Sequence, residues 1–115
     1  MASFALRAAR KGYFAFVFTH ADALVSSYGG KRAYFGTNPI CIAAPRNESE
    51  PFCLDMVPTM ISWNKLLGAR EKGESLPKEY AADENVNPTD DPELAKALLP
   101  IGGYKGFGIS AMGEI

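Results

Sequence analysis

Chemistry in this sequence has few places to come from. The stretch Gly102-Gly103-Tyr104-Lys105-Gly106-Phe107-Gly108 stands where a loop opens into a helical pattern. Free amides at a helix start and the helix dipole favour an anion there, and Lys105 adds a full positive charge. The same glycines have a second reading, in which they only let a loop pack tightly. Neither the phosphate loop of nucleotide hydrolases nor the Rossmann glycine fingerprint is matched. Asp55 closes the apolar run Phe52-Cys53-Leu54 just before a helical stretch, where α/β proteins place ligand contacts. Its carboxylate either meets a ribose hydroxyl or caps the helix that follows. His20, the only histidine, comes after an aromatic run and is either an acid–base group or a solvated loop residue. Met60 and Trp63 share a helical face and read as core rather than as cofactor stacking. Cys41 and Cys53 lie inside apolar runs as small hydrophobes, and no His or Cys spacing suits a metal.

Regular elements must hold these residues. Ser3 to Lys11 has helical spacing and stops at Gly12. Tyr13 to Thr19 is aromatic and β-branched without polar alternation, which predicts a central strand buried on both faces. His20 to Tyr28 reads as irregular, and Gly36-Thr37-Asn38-Pro39 as a chain reversal. Ile40 to Ala44 and Phe52 to Asp55 form a pair of strands around a polar loop bracketed by Pro45 and Pro51. Pro58 and Thr59 open a helix with Met60, Trp63 and Leu67 on one face and Gly73 as its stop. Glu74 to Asp91 is expected to be a surface excursion, followed by a short helix with Asp91 as cap and Pro92 in first position. Helical spacing resumes from Ile109 to Ile115. The fold class is therefore α/β, with a sheet more apolar than about two good helices can cover.

The 115 residues allow one core, and 12 basic against 13 acidic residues leave a net charge of −1, so no global field draws the chain to nucleic acid or an anionic membrane. No segment reaches membrane-spanning length, and the charges of the first residues follow the apolar ones, the reverse of a secretory signal. A reduced, cytoplasmic setting is expected. The under-covered sheet and the uncapped apolar end predict a piece of something larger, a partial domain spanning 1–115.

Four stretches carry a resemblance. Tyr28-Gly29-Gly30-Lys31 with Phe35-Gly36-Thr37-Asn38-Pro39-Ile40, Phe52-Cys53-Leu54-Asp55-Met56, Leu76-Pro77 with Asp83, Asn87-Pro88-Thr89 and Asp91-Pro92, and Leu99-Pro100 to Gly108 follow in that order. Together they resemble the malate/L-lactate dehydrogenase-like oxidoreductases, over almost the whole chain. The resemblance implies a mixed-sheet, non-Rossmann NAD(P)-binding domain, a homodimeric enzyme, and hydride exchange between NAD or NADP and a small 2-hydroxy or 2-oxo acid. By position it makes Asp55, Met56 and Val57 strand-end cofactor contacts and Lys105 a cofactor-contacting lysine. Tyr104, Pro58 and Thr59 are adjacent candidates, and Thr19-His20-Ala21 is another cofactor-lining stretch.

Two departures matter. The family's proton-transferring histidine belongs to a Ser-His-rich stretch before the first helix, so His20 does not match it and no catalytic residue is assigned within this chain. Val57-Pro58 stands where the family usually has Ala followed by Thr or Ser. A truncated, non-catalytic module that binds a nucleotide or dimerises is the alternative. Lys31, Arg32 and Arg46 are candidate partners for the extra phosphate of NADP, or simply solvated surface.

Overall fold

The aromatic run after Gly12 forms an edge strand rather than a central one. The computed structural model describes all residues from Met1 to Ile115. Helix α1 (Ala2–Ala9) ends at a turn where Gly12 takes φ +87, as its sequence predicts. Strand β1 (Ala15–Phe18) follows, then β2 (Ala23–Ser26), β3 (Ala33–Gly36), β4 (Ile40–Ala44) and β5 (Phe52–Met56). Helix α2 (Trp63–Lys72), the two-residue strands β6 (Ala81–Ala82), β7 (Pro88–Thr89) and β8 (Ala97–Leu98), and helix α3 (Tyr104–Glu114) complete the chain.

The strands divide into two sheets, one ordered β1-β4-β5 and the other β3-β2-β8-β6-β7. In the first sheet β4 is central and antiparallel to both neighbours, so β1 and β5 run parallel to each other. The second sheet is mixed, because β2 pairs in parallel with β8 while its other pairings are antiparallel. The fold is thus a mixed-sheet α/β arrangement, as expected.

Alternation along the first sheet explains why the two-sided burial expected of β1 is absent. Ala15 and Val17 point to the face that α1 covers, where Ala5, Ala9, Cys41 and Ala43 form a small closed core. Register places Phe16 beside Ile42 and Leu54, and Phe18 beside Ile40 and Met56, on the opposite face. No helix lies over that face, and Phe16 is 62% and Phe52 60% exposed. The apolar excess anticipated from the sequence is real, and it is concentrated on one side of one sheet.

The second core packs α2 against the second sheet through Ile61, Leu66, Ala81, Ala95 and Leu98. Ser62 caps α2 by accepting from the Lys65 amide, and Gly73 ends it in the left-handed region. The helix therefore starts later than Pro58, and Leu66 rather than Leu67 is the buried residue. Two further expectations fail here. The segment read as irregular after His20 contains β2, and the supposed surface excursion carries β6, whose Ala81 and Ala82 are fully buried. Small size let these alanines enter a core without any apolar run announcing them. The short helix after Asp91 does not form: Asp91 accepts from the Glu93 amide at 2.9 Å, but the next residues turn away toward β8. Arg70 fixes that turn by donating to the carbonyls of Pro92 (2.6 Å) and Ala95 (2.7 Å).

Candidate functional site

Parallel β1 and β5 deliver their carboxyl ends to the same end of the first sheet. Phe18, Ile40 and Met56 form one row across it. Just beyond that row come Thr19-His20-Ala21 on one side and Val57-Pro58-Thr59 on the other, about 10 Å apart by strand spacing. Exposed ends of parallel strands are where α/β folds leave room for ligands.

Helix α3 lies across this end. Its buried residues Gly106, Ser110 and Gly113 recur at helical spacing and form a stripe of small side chains. A Cβ on Gly106 would stand 2.6 Å from the Pro58 carbonyl oxygen and 2.5 Å from that of Ile101, and one on Gly113 would stand 3.1 Å from the Asn38 Cβ. The helix backbone can therefore approach only because these residues are small. The segment after β5 is stitched to the loop before α3: the Ile101 amide donates to Pro58 (3.1 Å), the Met60 amide to Leu99 (3.0 Å), and Thr59 bridges Pro100. Asp55–Thr59 and Tyr104-Lys105 are thereby brought to one end of α3.

His20 and Ala21 lie toward its other end, about 14 Å along the axis by helix rise. Asn38 makes that connection. Its Oδ1 accepts from the Ala21 amide (3.1 Å), while its Nδ2 donates to the Ser110 carbonyl (2.9 Å) and to Glu114 Oε1 (3.0 Å). The Gly36 amide also donates to Glu114 (3.3 Å). The Asn38 amide, with help from Gly36, holds the Glu114 carboxyl below its ordinary value of 4.5. Asn38 is 1% exposed and adopts φ 37, a left-handed conformation that asparagine tolerates. Its place in a Gly-Thr-Asn-Pro turn suggests only a chain reversal, and its three-way role was not legible.

Asp55 Oδ2 accepts from the Ala2 amide at 3.1 Å and stands 4.0 Å from the terminal ammonium. Its carboxylate thus meets the start of α1, not the helix that follows it. That side chain is 40% exposed, so acceptor capacity remains. Met56 and Val57 are half-buried, and Pro58 and Thr59 are buried, with Thr59 Oγ1 donating to the Ile61 carbonyl at 2.7 Å. Tyr104 and Lys105 are exposed, Tyr104 meeting Tyr28 edge to face at 5.9 Å. Lys105 takes part in neither of the chain's ion pairs, which are Arg10–Glu50 and the amino terminus with Asp55. His20 is exposed and its ring has no hydrogen-bond partner in the fold.

One element of the sequence reading is corrected. Most amides at the start of α3 are not free for an anion: Lys105, Gly106 and Phe107 donate to the carbonyls of Gly102, Ile101 and Gly103, which leaves that of Tyr104. Gly102 and Gly103, both at positive φ, fold the loop back so that its carbonyls reach them. Lys105's side chain is left as the charge at this helix end. Arg46 also drops out as a partner for this site, since it follows β4 at the opposite end of the sheet. Lys31 instead lines the largest cavity, about 740 Å³, with Tyr28, Met60, Lys78, Val86 and Gly103. That cavity adjoins Thr59 and Tyr104 through their chain neighbours and takes in Gly102 and Gly103 of the glycine cluster, but none of Asp55–Thr59, His20, Ala21, Tyr104 or Lys105 lines it. No group of three or more His, Cys, Asp or Glu side chains is close enough to hold a metal ion, and no helix is long and apolar enough to cross a membrane.

The chain matches the malate/L-lactate dehydrogenase family over residues 1–115. The chain belongs to that family, whose members are NAD(P)-dependent dehydrogenases and reductases. It is 39% identical over 112 residues to the ureidoglycolate dehydrogenase (NAD(+)) of Escherichia coli, covering 97% of this chain and 32% of that protein. It is 35% identical over 111 residues to the (2R)-3-sulfolactate dehydrogenase (NADP(+)) of Chromohalobacter salexigens, covering 95% of this chain and 33% of that one. Among solved structures, the Δ1-piperideine-2-carboxylate reductase of Pseudomonas syringae superposes with a TM-score of 0.93 at 32% identity, over 98% of this chain and 35% of that protein. The chain thus spans about a third of the length of the relatives it matches.

Proposed function

We propose that this chain is the NAD(P)-holding part of an oxidoreductase that exchanges hydride with a small 2-hydroxy or 2-oxo acid, in a homodimeric, cytoplasmic enzyme. The observation that carries the reading is the convergence of Asp55–Thr59 with Tyr104-Lys105 through the Pro58–Ile101 and Thr59–Pro100 pairings. The residues fit a dinucleotide. Lys105 is an unpaired cation for a phosphate, and Asp55 keeps exposed acceptor capacity for a ribose hydroxyl. The small-residue face of α3 also brings backbone close to the strand end.

The nicotinamide supplies the hydride chemistry when bound. This chain's own residues would hold and orient it: Lys105 drawing the phosphates, Asp55 anchoring a sugar, half-buried Met56 and Val57 lending apolar surface, and buried Pro58 fixing the backbone there by accepting from the Ile101 amide. His20 and Ala21 line the far side, with Tyr104 and Thr59 flanking Lys105. Proton transfer falls to residues of the longer family polypeptide. The name of the piperideine-carboxylate reductase extends the plausible substrates from oxo acids to cyclic imino acids, which share a carboxylate beside the carbon that takes hydride.

Titration of the chain with NADH and with NADPH, followed by nicotinamide fluorescence, tests this reading. Saturable binding supports it and the better ligand names the cofactor; no saturable binding by the folded chain overturns it. The second reading, a non-catalytic module for nucleotide binding or dimerisation, is favoured by one observation: the sole histidine is exposed and unpartnered. Self-association without any cofactor binding would select it.

A further inference from the structure

The thiols of Cys41 and Cys53 take no part in the site described above. They lie on neighbouring strands β4 and β5, on the face covered by α1, with their sulfurs 3.6 Å apart. Cys41 is fully buried and Cys53 is partly exposed. We propose that Cys41 and Cys53 form a reversible intrachain disulfide, with Cys53 the thiol that first meets a peroxide.

The chemistry balances in two steps. Cys53 sulfur attacks one peroxide oxygen, the O–O bond breaks, and the departing oxygen leaves as water with the proton the thiol gives up. Cys53 is then a sulfenic acid. Cys41 sulfur attacks Cys53 sulfur, the S–O bond breaks, and a second water leaves carrying the Cys41 proton. The thiol pair loses two electrons, and hydrogen peroxide gains them. Burial, the neighbouring Cys53 thiol and the Asp55 carboxylate push the Cys41 thiol up to about 11, so its attack on the Cys53 sulfenic acid quickens as pH rises toward that value.

Register decides that the bond is a switch rather than a permanent staple. Cys41 stands opposite Asp55 and Cys53 opposite Ala43, so the two cysteines are diagonal neighbours. Diagonal Cα atoms lie about 7–8 Å apart, whereas relaxed disulfides prefer about 5.5–6 Å. The strands must close in, and a strained bond is readily reduced by a small thiol. Asp55 follows Cys53 by two residues and pairs with Cys41, so the same closure draws on the strand end that carries Asp55 and Met56.

Trypsin separates the two cysteines, because Arg46 lies between them, and releases Ala33–Arg46 and Asn47–Lys65. The purified chain is exposed to hydrogen peroxide, alkylated, digested and weighed by mass spectrometry. The expected product is those two peptides linked, separated again by dithiothreitol. In Cys41→Ser the Cys53 peptide instead proceeds to sulfinic acid. Wild-type Cys53 reaching sulfinic acid while Cys41 remains alkylatable would overturn the proposal, as would linkage between chains only. The wild-type result decides the matter even where the variant fails to fold.

Discussion

Lys105 and Asn38 do different work at the two ends of α3, and their substitutions separate it. Lys105 is exposed and unpaired, so Lys105→Ala should leave the melting temperature unchanged while weakening NAD(P)H binding. The loss of one charge-assisted contact is about 1.5–3 kcal/mol, or roughly tenfold to a hundredfold in Kd by titration. Asn38→Ala should do the reverse first, costing about 2–3 kcal/mol of folding stability in urea melts, because it strands the Ala21 amide and the Ser110 carbonyl. Glu114 adds a pH dependence. Its folded pKa lies below the ordinary value, so its stabilisation is present above 4.5 and is lost as pH falls through the lower folded value. Urea midpoints taken across acid pH should fall in that window for the wild type and fall less for Glu114→Gln. At this scale the sequence showed that Lys105 and Asp55 stand at element ends, which punctuation by glycine and proline reveals. It did not show Asn38, two of whose partners come from residues more than seventy positions away.

Among the elements, α1, β4, β5 and α2 were legible because each has a run of apolar residues with one period and a clear stop. β6, β7 and β8 were not, since two-residue strands built from Ala81-Ala82, Pro88-Thr89 and Ala97-Leu98 carry no period to read. The burial of β1 was misjudged for a related reason: an aromatic run looks alike whether its second face meets a protein core or nothing in this chain. Position in the sheet order, which local sequence does not encode, made the difference. Helix α3 tests the packing account. Gly106→Ala would set a Cβ within 2.6 Å of the Pro58 oxygen and the Ile101 nitrogen, and backbone on both sides cannot yield cheaply. It should cost about 1–3 kcal/mol and loosen the join between the strand end and Lys105, measured by thermal melt and cofactor titration together. Leu66→Ala, in the other core, should cost about 3 kcal/mol with Lys105 left in place.

For the whole molecule, the open apolar face is the dominant fact. Phe16, Phe18, Ile40, Ile42, Phe52, Leu54 and Met56 share it, and so broad an uncovered surface favours association. The chain should sediment as more than a monomer, and Phe16→Lys with Leu54→Lys should shift it toward monomer. The sequence anticipated this excess but not its location. The cofactor site is the central claim, and the large cavity beside it is its natural rival. Backbone hydrogen exchange with and without saturating NADH or NADPH distinguishes the two most directly. Exchange should slow at residues 19–21, 55–59 and 102–106 when the cofactor is bound. Protection confined to residues 26–31 and 78–88, around the 740 Å³ cavity, or none at all in the folded chain, would contradict it.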